Sequence, residues 1–142
     1  MMNEKDILAN KVVSKMLETD YFSQWMGIEI LEIREGYSRI QMTVRKEMMN
    51  GFGIAHGGIS FAFADSAFAF ACNSDGKITL ALDVSISFPK PAKEGDVLIA
   101  EAKELNKTLR TGLYLIEITN QQKELIAVFK GTCYKTEKNL PV

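Results

Sequence analysis

The chain has 142 residues, of which 46% are hydrophobic and 25% are charged, the composition of an ordinary globular protein, and we predict a single domain over residues 1–142. The 17 Lys and Arg residues nearly cancel the 18 Asp and Glu residues, which excludes the basic surface of a nucleic-acid-binding protein. The two cysteines lack C-x-x-C spacing and no apolar leader opens the chain, so we expect a cytoplasmic location.

The first predicted elements are a helix and two strands. From Asn3 to about Asp20 apolar residues recur at three- and four-residue steps, the pattern of a short amphipathic helix. Residues 28–33 and 37–44 flank Glu35-Gly36, and apolar and polar residues alternate in the second segment. This pattern predicts an antiparallel hairpin.

The segment from Gly57 to about Asn73 is almost without a polar face, because phenylalanines and alanines fill it. A helix of this kind has to be surrounded by apolar groups. It is shorter than the ~20 apolar residues that span a bilayer, and it contains the ionisable residue Asp65. We therefore predict a core helix and no association with a membrane.

Four strands are predicted after this helix. Apolar and polar residues alternate from Leu82 to Phe88, in a strand that ends at Pro89. Three further strand-like runs follow, over residues 97–105, 112–119 and 124–135. An antiparallel sheet of six strands has a face to cover, so we predict an α+β fold in which this sheet wraps the long central helix. Its exposed edges favour a symmetric oligomer.

Asp65 is out of place in the predicted core helix, since its neighbours one turn away are phenylalanines and alanines. An unpaired buried carboxylate destabilises a fold unless it is hydrogen-bonded or performs chemistry. Two interpretations stay open on the residues alone. Asp65 is either a structural carboxylate bonded by backbone donors or a general base poised by burial.

A glycine-rich turn, from Asn50 to Gly58, leads into this helix. The first amides of a helix lack an intrahelical partner and carry the positive end of its dipole. The N–H of Gly57 is therefore placed to bind the oxygen of a polarised carbonyl, and Gly58 lets a substrate approach the backbone. The alternative is that both glycines only permit a tight turn. His56 and Asn50 are candidates for orienting substrate or water, although a lone histidine is more often structural.

The residues needed for zinc binding, serine-hydrolase catalysis or nucleotide binding are absent from the sequence. His56 is the only histidine and no C-x-x-C motif is present, which excludes most zinc sites, and we predict no metal. Ser60 has Ala62 where a G-x-S-x-G elbow requires its last glycine. No phosphate-binding loop or dinucleotide fingerprint is present either.

The residues that carry these candidates resemble a known family, the hotdog-fold thioesterases of the phenylacetic acid degradation (PaaI) type. The resemblance lies in Asn50, His56-Gly57-Gly58, Asp65 and Ala67-Phe68-Ala69. It continues through Ala71-Cys72-Asn73-Ser74, Thr111-Gly112, Asn120-Gln121-Gln122 and Phe129-Lys130-Gly131, and so covers roughly residues 45–135. Each motif is moderately specific, but their order and spacing together favour this family.

The resemblance implies a homotetramer, a dimer of dimers, in which the helix start of one subunit faces the carboxylate of another. Gly57 N–H would hold the thioester carbonyl, and Asp65 would act as general base on water or attack directly. Asn50 and His56 would position water and substrate. The implied reaction hydrolyses an acyl-coenzyme A, with phenylacetyl or hydroxyphenylacetyl thioesters as the expected substrates, and needs no cofactor.

Some members of this family hold the water with a serine on the strand after the helix. Ala81 occupies that position here. The resemblance therefore leaves this role vacant, or gives it to Thr79, Ser85 or a backbone group.

The resemblance also implies a surface for coenzyme A near the dimer interface. Basic and hydroxyl residues in two turns are candidates for its phosphates, although loop lysines are usually only solvated. These residues are Lys90, Lys93, Lys107, Arg110 and Thr111. Large apolar residues are candidates for an acyl pocket, although most such residues form plain core; these are Phe61, Phe68, Met48 and Met49.

Two rival functions stay open. A hotdog dehydratase or hydratase also uses a carboxylate on the central helix, but pairs it with a catalytic histidine. Here His56 adjoins the glycine pair, which favours hydrolysis. A non-catalytic acyl-CoA-binding protein would bind the same ligand without turnover.

Overall fold

The computed structural model describes residues 1–142 and contains three α-helices and six strands. The helices are α1 (Glu4–Leu17), α2 (Tyr21–Met26) and α3 (Gly57–Cys72), and a 3-10 turn covers Lys46–Met48. The strands are β1 (Glu29–Arg34), β2 (Tyr37–Thr43), β3 (Lys77–Ser87), β4 (Val97–Lys107), β5 (Thr111–Thr119) and β6 (Leu125–Asn139).

The strands form one sheet in the order β1-β2-β4-β5-β6-β3, and every neighbouring pair is antiparallel. The chain therefore has the predicted α+β architecture, a six-stranded antiparallel sheet packed on a long central helix. No helix is both long and apolar enough to cross a membrane.

Buried and exposed side chains alternate along the strands, which gives the sheet an apolar face on which α3 packs. Ile40 and Met42 are completely buried, whereas the intervening Gln41 remains partly exposed. Glycine is required where α3 comes closest to β6, because a Cβ on Gly131 would lie 2.7 Å from Cε2 of Phe68. The sheet thus holds α3 at short range and fixes the positions of its residues.

The predicted short N-terminal helix is present, but it ends a few residues before Asp20. α1 ends at Leu17 and a second short helix, α2, follows. Asp20 is the N-cap of α2, since its Oδ1 accepts a hydrogen bond from the N–H of Ser23 at 3.1 Å. A side chain that satisfies the first free amides starts a helix, so Asp20 begins a new element.

One side of the fold is left uncovered by the chain itself. β3 lies at the edge of the sheet and exposes Leu80 and Leu82, each 60% accessible. A stripe along α3, called the open stripe below, is also partly or fully exposed, and consists of Gly58, Ala62, Asp65 and Ala69. The prediction that this helix is surrounded therefore does not hold within one chain.

Candidate active site

The N-terminus of α3 presents one free amide. His56 is the N-cap, and its Nδ1 accepts a hydrogen bond from the N–H of Gly58 at 2.9 Å. The N–H of Gly57 has no acceptor in the chain. It is therefore available to a ligand at the positive end of the helix dipole.

Gly57 faces a cavity of about 260 Å³ between the glycine-rich turn and the segment after β3. Its walls are mostly apolar. The lining residues are Asn50, Ile54, Ala55, Gly57, Ser60, Phe88, Lys90, Pro91, Ala92 and Ile126. The cavity combines a free backbone donor with apolar walls, the usual make-up of a small-molecule site.

Asn50 lines this cavity and has a free side-chain donor. Its Oδ1 accepts hydrogen bonds from the N–H groups of Phe52 at 2.9 Å and Ile54 at 3.3 Å, which shape the turn. Because the accepting atom in both bonds must be oxygen, they identify the other terminal atom of the Asn50 side chain as the nitrogen Nδ2. Nδ2 makes no hydrogen bond within the chain, so it can donate to substrate or water.

Asp65 lies half-buried in the open stripe, and its carboxylate makes no hydrogen bond within the chain. Burial raises the pKa of Asp65, and the nearby carboxylate of Asp20 raises it further. An acid of this kind is a suitable general base, because its raised pKa favours accepting a proton. The sequence predicts a buried carboxylate, and in the structure Asp65 is only partly buried.

Gly57 and Asp65 of one chain do not share a cavity. Asp65 follows Gly57 by eight positions, which corresponds to about 12 Å along a helix, and it is not among the residues that line the cavity. The two groups can act on one carbonyl only if they come from different copies of the chain.

The candidates for holding water on β3 are poorly placed. Ala81 is exposed and has no hydroxyl, and the hydroxyl of Thr79 donates to the carbonyl of Lys77 at 3.0 Å. Ser85 pairs with Lys130, whereas Val84 pairs with Gly131, the residue that faces α3. Ser85 therefore points to the outer face, and the amide of Asn50 is the better candidate.

The predicted acyl-pocket residues divide into core and surface. Phe68 is 1% exposed and packs against Tyr114 and Phe129. Met48 is equally buried. Both are core residues, which corrects their assignment to a pocket. Phe61 and Met49 are partly exposed and remain candidates.

The predicted coenzyme A contacts lie at two ends of the molecule. Lys90 lines the cavity and forms an ion pair with Glu124. Lys93 lies in the same segment as Lys90, between β3 and β4. The other three candidates lie at or just past the far end of β4, which is about 33 Å long, and each of these three has a partner. Lys107 is 3.5 Å from Asp75, Arg110 is 2.8 Å from Glu137, and Thr111 is 2.7 Å from the hydroxyl of Thr108.

Sequence reasoning missed several residues of the cavity. Ser60 lies on the same side of α3 as Gly57 because it follows by three positions, one helical turn. Phe88 closes the cavity, and a Cβ on Gly57 would lie 3.3 Å from its Cζ. The helical spacing could have identified Ser60, but only the fold brings Phe88 to this place.

Comparisons with known proteins agree with this architecture. The model of the thioesterase superfamily matches residues 52–127. The acyl-coenzyme A thioesterase PaaI of Escherichia coli is 41% identical over 120 residues, which cover 84% of this chain and 86% of that protein.

Solved structures show the same similarity. The structure of E. coli PaaI, from the phenylacetic acid degradation operon, superposes with a TM-score of 0.95 at 36% identity, covering 97% of this chain and all of that chain. A Streptococcus mutans protein bound to acetyl-CoA superposes with a TM-score of 0.77 at 26% identity, covering 80% and 91% of the two chains.

The chain belongs to the thioesterase superfamily, and its fold is the hotdog fold of PaaI. It is a thioester hydrolase. The resemblance noted in the sequence is thereby confirmed.

Proposed function

We propose that the chain hydrolyses acyl-CoA thioesters at a site formed by two of its copies. The observation that carries this proposal is the free N–H of Gly57, which faces the apolar cavity at the start of α3. A backbone donor at this point is suited to the oxygen of a thioester carbonyl, because negative charge develops there during attack.

In the proposed reaction the thioester oxygen accepts the hydrogen bond from Gly57. Asp65 of a second copy takes a proton from water, and the water oxygen attacks the carbonyl carbon; direct attack by Asp65 is the alternative. The tetrahedral intermediate then expels the thiolate of coenzyme A, which takes up a proton, and the acid is released. Asn50 and His56 orient the water and the substrate, and no cofactor takes part.

The second copy is supported by the uncovered side of the fold. The open edge of β3 has unpaired backbone groups and exposed leucines, which favour pairing with another strand. An isologous contact there would place the open stripe of each copy against the other. We propose a dimer of this kind, and a tetramer built from two of them.

The proposed acyl group is aryl-acetyl, such as phenylacetyl or hydroxyphenylacetyl. Its support is the similarity to PaaI, together with the apolar cavity walls of Ile54, Phe88 and Ile126. Binding of coenzyme A is supported by the acetyl-CoA complex of the S. mutans protein and by Lys90 at the cavity. The cytoplasmic location expected from the sequence stays a prediction.

The test is a thiol-release assay over aryl-acetyl, benzoyl, short-chain and long-chain acyl-CoAs. The Asp65→Asn variant should lose about two to four orders of magnitude in kcat on the best substrate, the usual contribution of a general base. Glu29→Gln is the matched control, because it removes one exposed carboxylate on β1 and should keep full activity.

Three outcomes would contradict the proposal. Unchanged turnover of Asp65→Asn would show that Asp65 is not the base. Saturable binding without thiol release would indicate a binding protein. Dehydration of a 3-hydroxyacyl thioester without thiol release would indicate a dehydratase.

A further inference from the structure

A chain of polar side chains joins the start of α2 to the middle of α3. Asp20 accepts two hydrogen bonds from Ser23, from its N–H at 3.1 Å and from its hydroxyl at 2.6 Å. The hydroxyl of Ser23 lies 2.8 Å from that of Ser66. Ser23 is 1% exposed and Ser66 is 9% exposed, so bulk water hardly competes for either hydroxyl. These bonds fix the orientation of the Asp20 carboxylate and link it to Ser66, the residue that follows Asp65.

The charge on Asp20 decides which hydroxyl donates and which accepts in this series of hydrogen bonds. An ionised carboxylate only accepts hydrogen bonds, and a serine hydroxyl has one proton to give. Ser23 gives its proton to Asp20 and must therefore accept the proton of Ser66. Ser66 thus donates toward Asp20, and its hydroxyl proton is not available to its sequence neighbour Asp65.

Asp20 is also the charged group that acts on Asp65. Burial raises the pKa of Asp65 first, and the charge of Asp20 adds to it. Lys135 on β6, a strand that packs on α3, is paired with Asp75 at 2.7 Å, so it does not offset the charge of Asp20 at Asp65. In the core between α3 and the sheet, the hydroxyl of Tyr114 donates to Glu104 at 2.8 Å, and the thiols of Cys72 and Cys133 are buried.

We infer that Asp20 is a positioning residue for Asp65. Its negative charge favours the binding of a proton by Asp65, and its hydrogen bonds through Ser23 to Ser66 keep the hydroxyl proton of Ser66 away from Asp65. This inference rests on the proposed function, in which Asp65 is the base. It assigns the unpredicted helix α2 a role in the chemistry, because α2 supplies both Asp20 and Ser23.

The test is the pH profile of kcat/KM for Asp20→Asn. Asparagine retains the N-cap but removes the charge, and its amide can donate to Ser23, which frees the proton of Ser66. Both changes favour ionised Asp65, so the acid limb should move to lower pH. At the pH at which kcat/KM of the wild type has fallen to a tenth of its plateau value, kcat/KM of the variant should still be about a third of its own plateau value.

Two further variants isolate the cause. Glu18→Gln removes the same charge two positions away, where Glu18 is exposed and lies 3.2 Å from Lys15, and it should leave the acid limb in place. Ser23→Ala keeps the charge of Asp20 but breaks the chain, and it should shift the limb in the same direction by less. The pKa of Asp65 can also be followed without turnover, by a carbon-13 NMR titration of its carboxyl signal, which is assigned by its absence in Asp65→Asn. The midpoint of this titration should shift most in Asp20→Asn, less in Ser23→Ala and not at all in Glu18→Gln.

The failures are distinguishable. If Asp65→Asn is inactive but Asp20→Asn keeps the wild-type limb, the inference is wrong and the proposed function stands. The inference would also be wrong if Asp20→Asn lowered Tm and the plateau of kcat/KM but left the acid limb in place, because Asp20 would then act only as a structural helix cap. If Asp65→Asn is active, the proposed function itself fails.

Discussion

The two sides of α3 differ although they belong to one helix of nearly uniform composition. The side toward the sheet buries large residues, such as Phe63 and Phe70, completely. The open stripe carries small residues and Asp65, the only acidic or basic residue of the helix. An apolar helix is normally covered all round, so the uncovered stripe indicates a surface that another copy completes. Substitutions on the two sides should therefore affect different properties.

The largest effect is expected on the sheet side. Phe63→Ala should lower the free energy of unfolding by about 3–5 kcal/mol, because it leaves a cavity in a packed core. Phe61→Ala is the control, since Phe61 is only partly buried and should cost clearly less. Denaturant unfolding measures both, and equal losses would contradict the distinction between the two sides.

The next effect concerns the proposed contact between copies. Leu82 is the extra residue of a bulge on β3 and is exposed, so Leu82→Lys would place like charges near each other across a two-fold axis. The dimer should weaken about a hundredfold, and thiol release should fall with it, while the circular dichroism spectrum is retained. Leu109→Lys is the control, because Leu109 is exposed in the β4–β5 turn. Light scattering that shows an intact oligomer for Leu82→Lys would contradict the role of this edge.

A smaller effect is expected at the first residue of α3. Gly57→Ala places a methyl group 3.3 Å from Phe88, which displaces the free N–H or narrows the cavity, and kcat/KM should fall about tenfold or more. Gly51→Ala in the same turn meets no atom within 4 Å and should keep its activity. An equal loss in both variants would indicate that the turn only needs glycine for flexibility.

The smallest effect is on stability at Asp65. The pKa of this group is raised by burial and by Asp20, so its contribution to stability is present at low pH and is lost as the pH rises through the raised pKa. Asp65→Asn should therefore slightly raise Tm at pH 7, and the gain should shrink as the pH falls through the raised pKa and should be absent below the ordinary pKa of a carboxyl. A lower Tm at pH 7 would mean that a second copy hydrogen-bonds the carboxylate.

The fold was predictable because local patterns specify it. Alternation along β2 and the apolar run of α3 predicted both elements close to their observed bounds. The second helix was missed, since Tyr21–Met26 is only six residues long and shows no full period. Asp20 is of a residue type that caps helices, but Ser23 stands where the Glu or Gln of a capping box would strengthen that signal.

The candidate site was predictable only in part. Gly57 and Asn50 lie on one turn, so local sequence was enough to bring them together. The cavity wall at Phe88 depends on how β3 meets the turn. The predicted pocket role of Phe68 failed because burial against the sheet, which a helical position alone does not reveal, decides whether a phenylalanine is accessible.

Apart from α2, the sequence by itself determined the order of the elements, and it also determined the free amide at the start of α3 and the unusual carboxylate at Asp65, because each follows from residues a few positions apart. Only the tertiary structure decided that Asp65 lies in an open stripe, away from the cavity of its own chain. It also decided that Asp20 is linked to the middle of α3, since the contact from Ser23 to Ser66 spans 43 positions. Packing brings such distant groups together, and local periodicity carries no record of it.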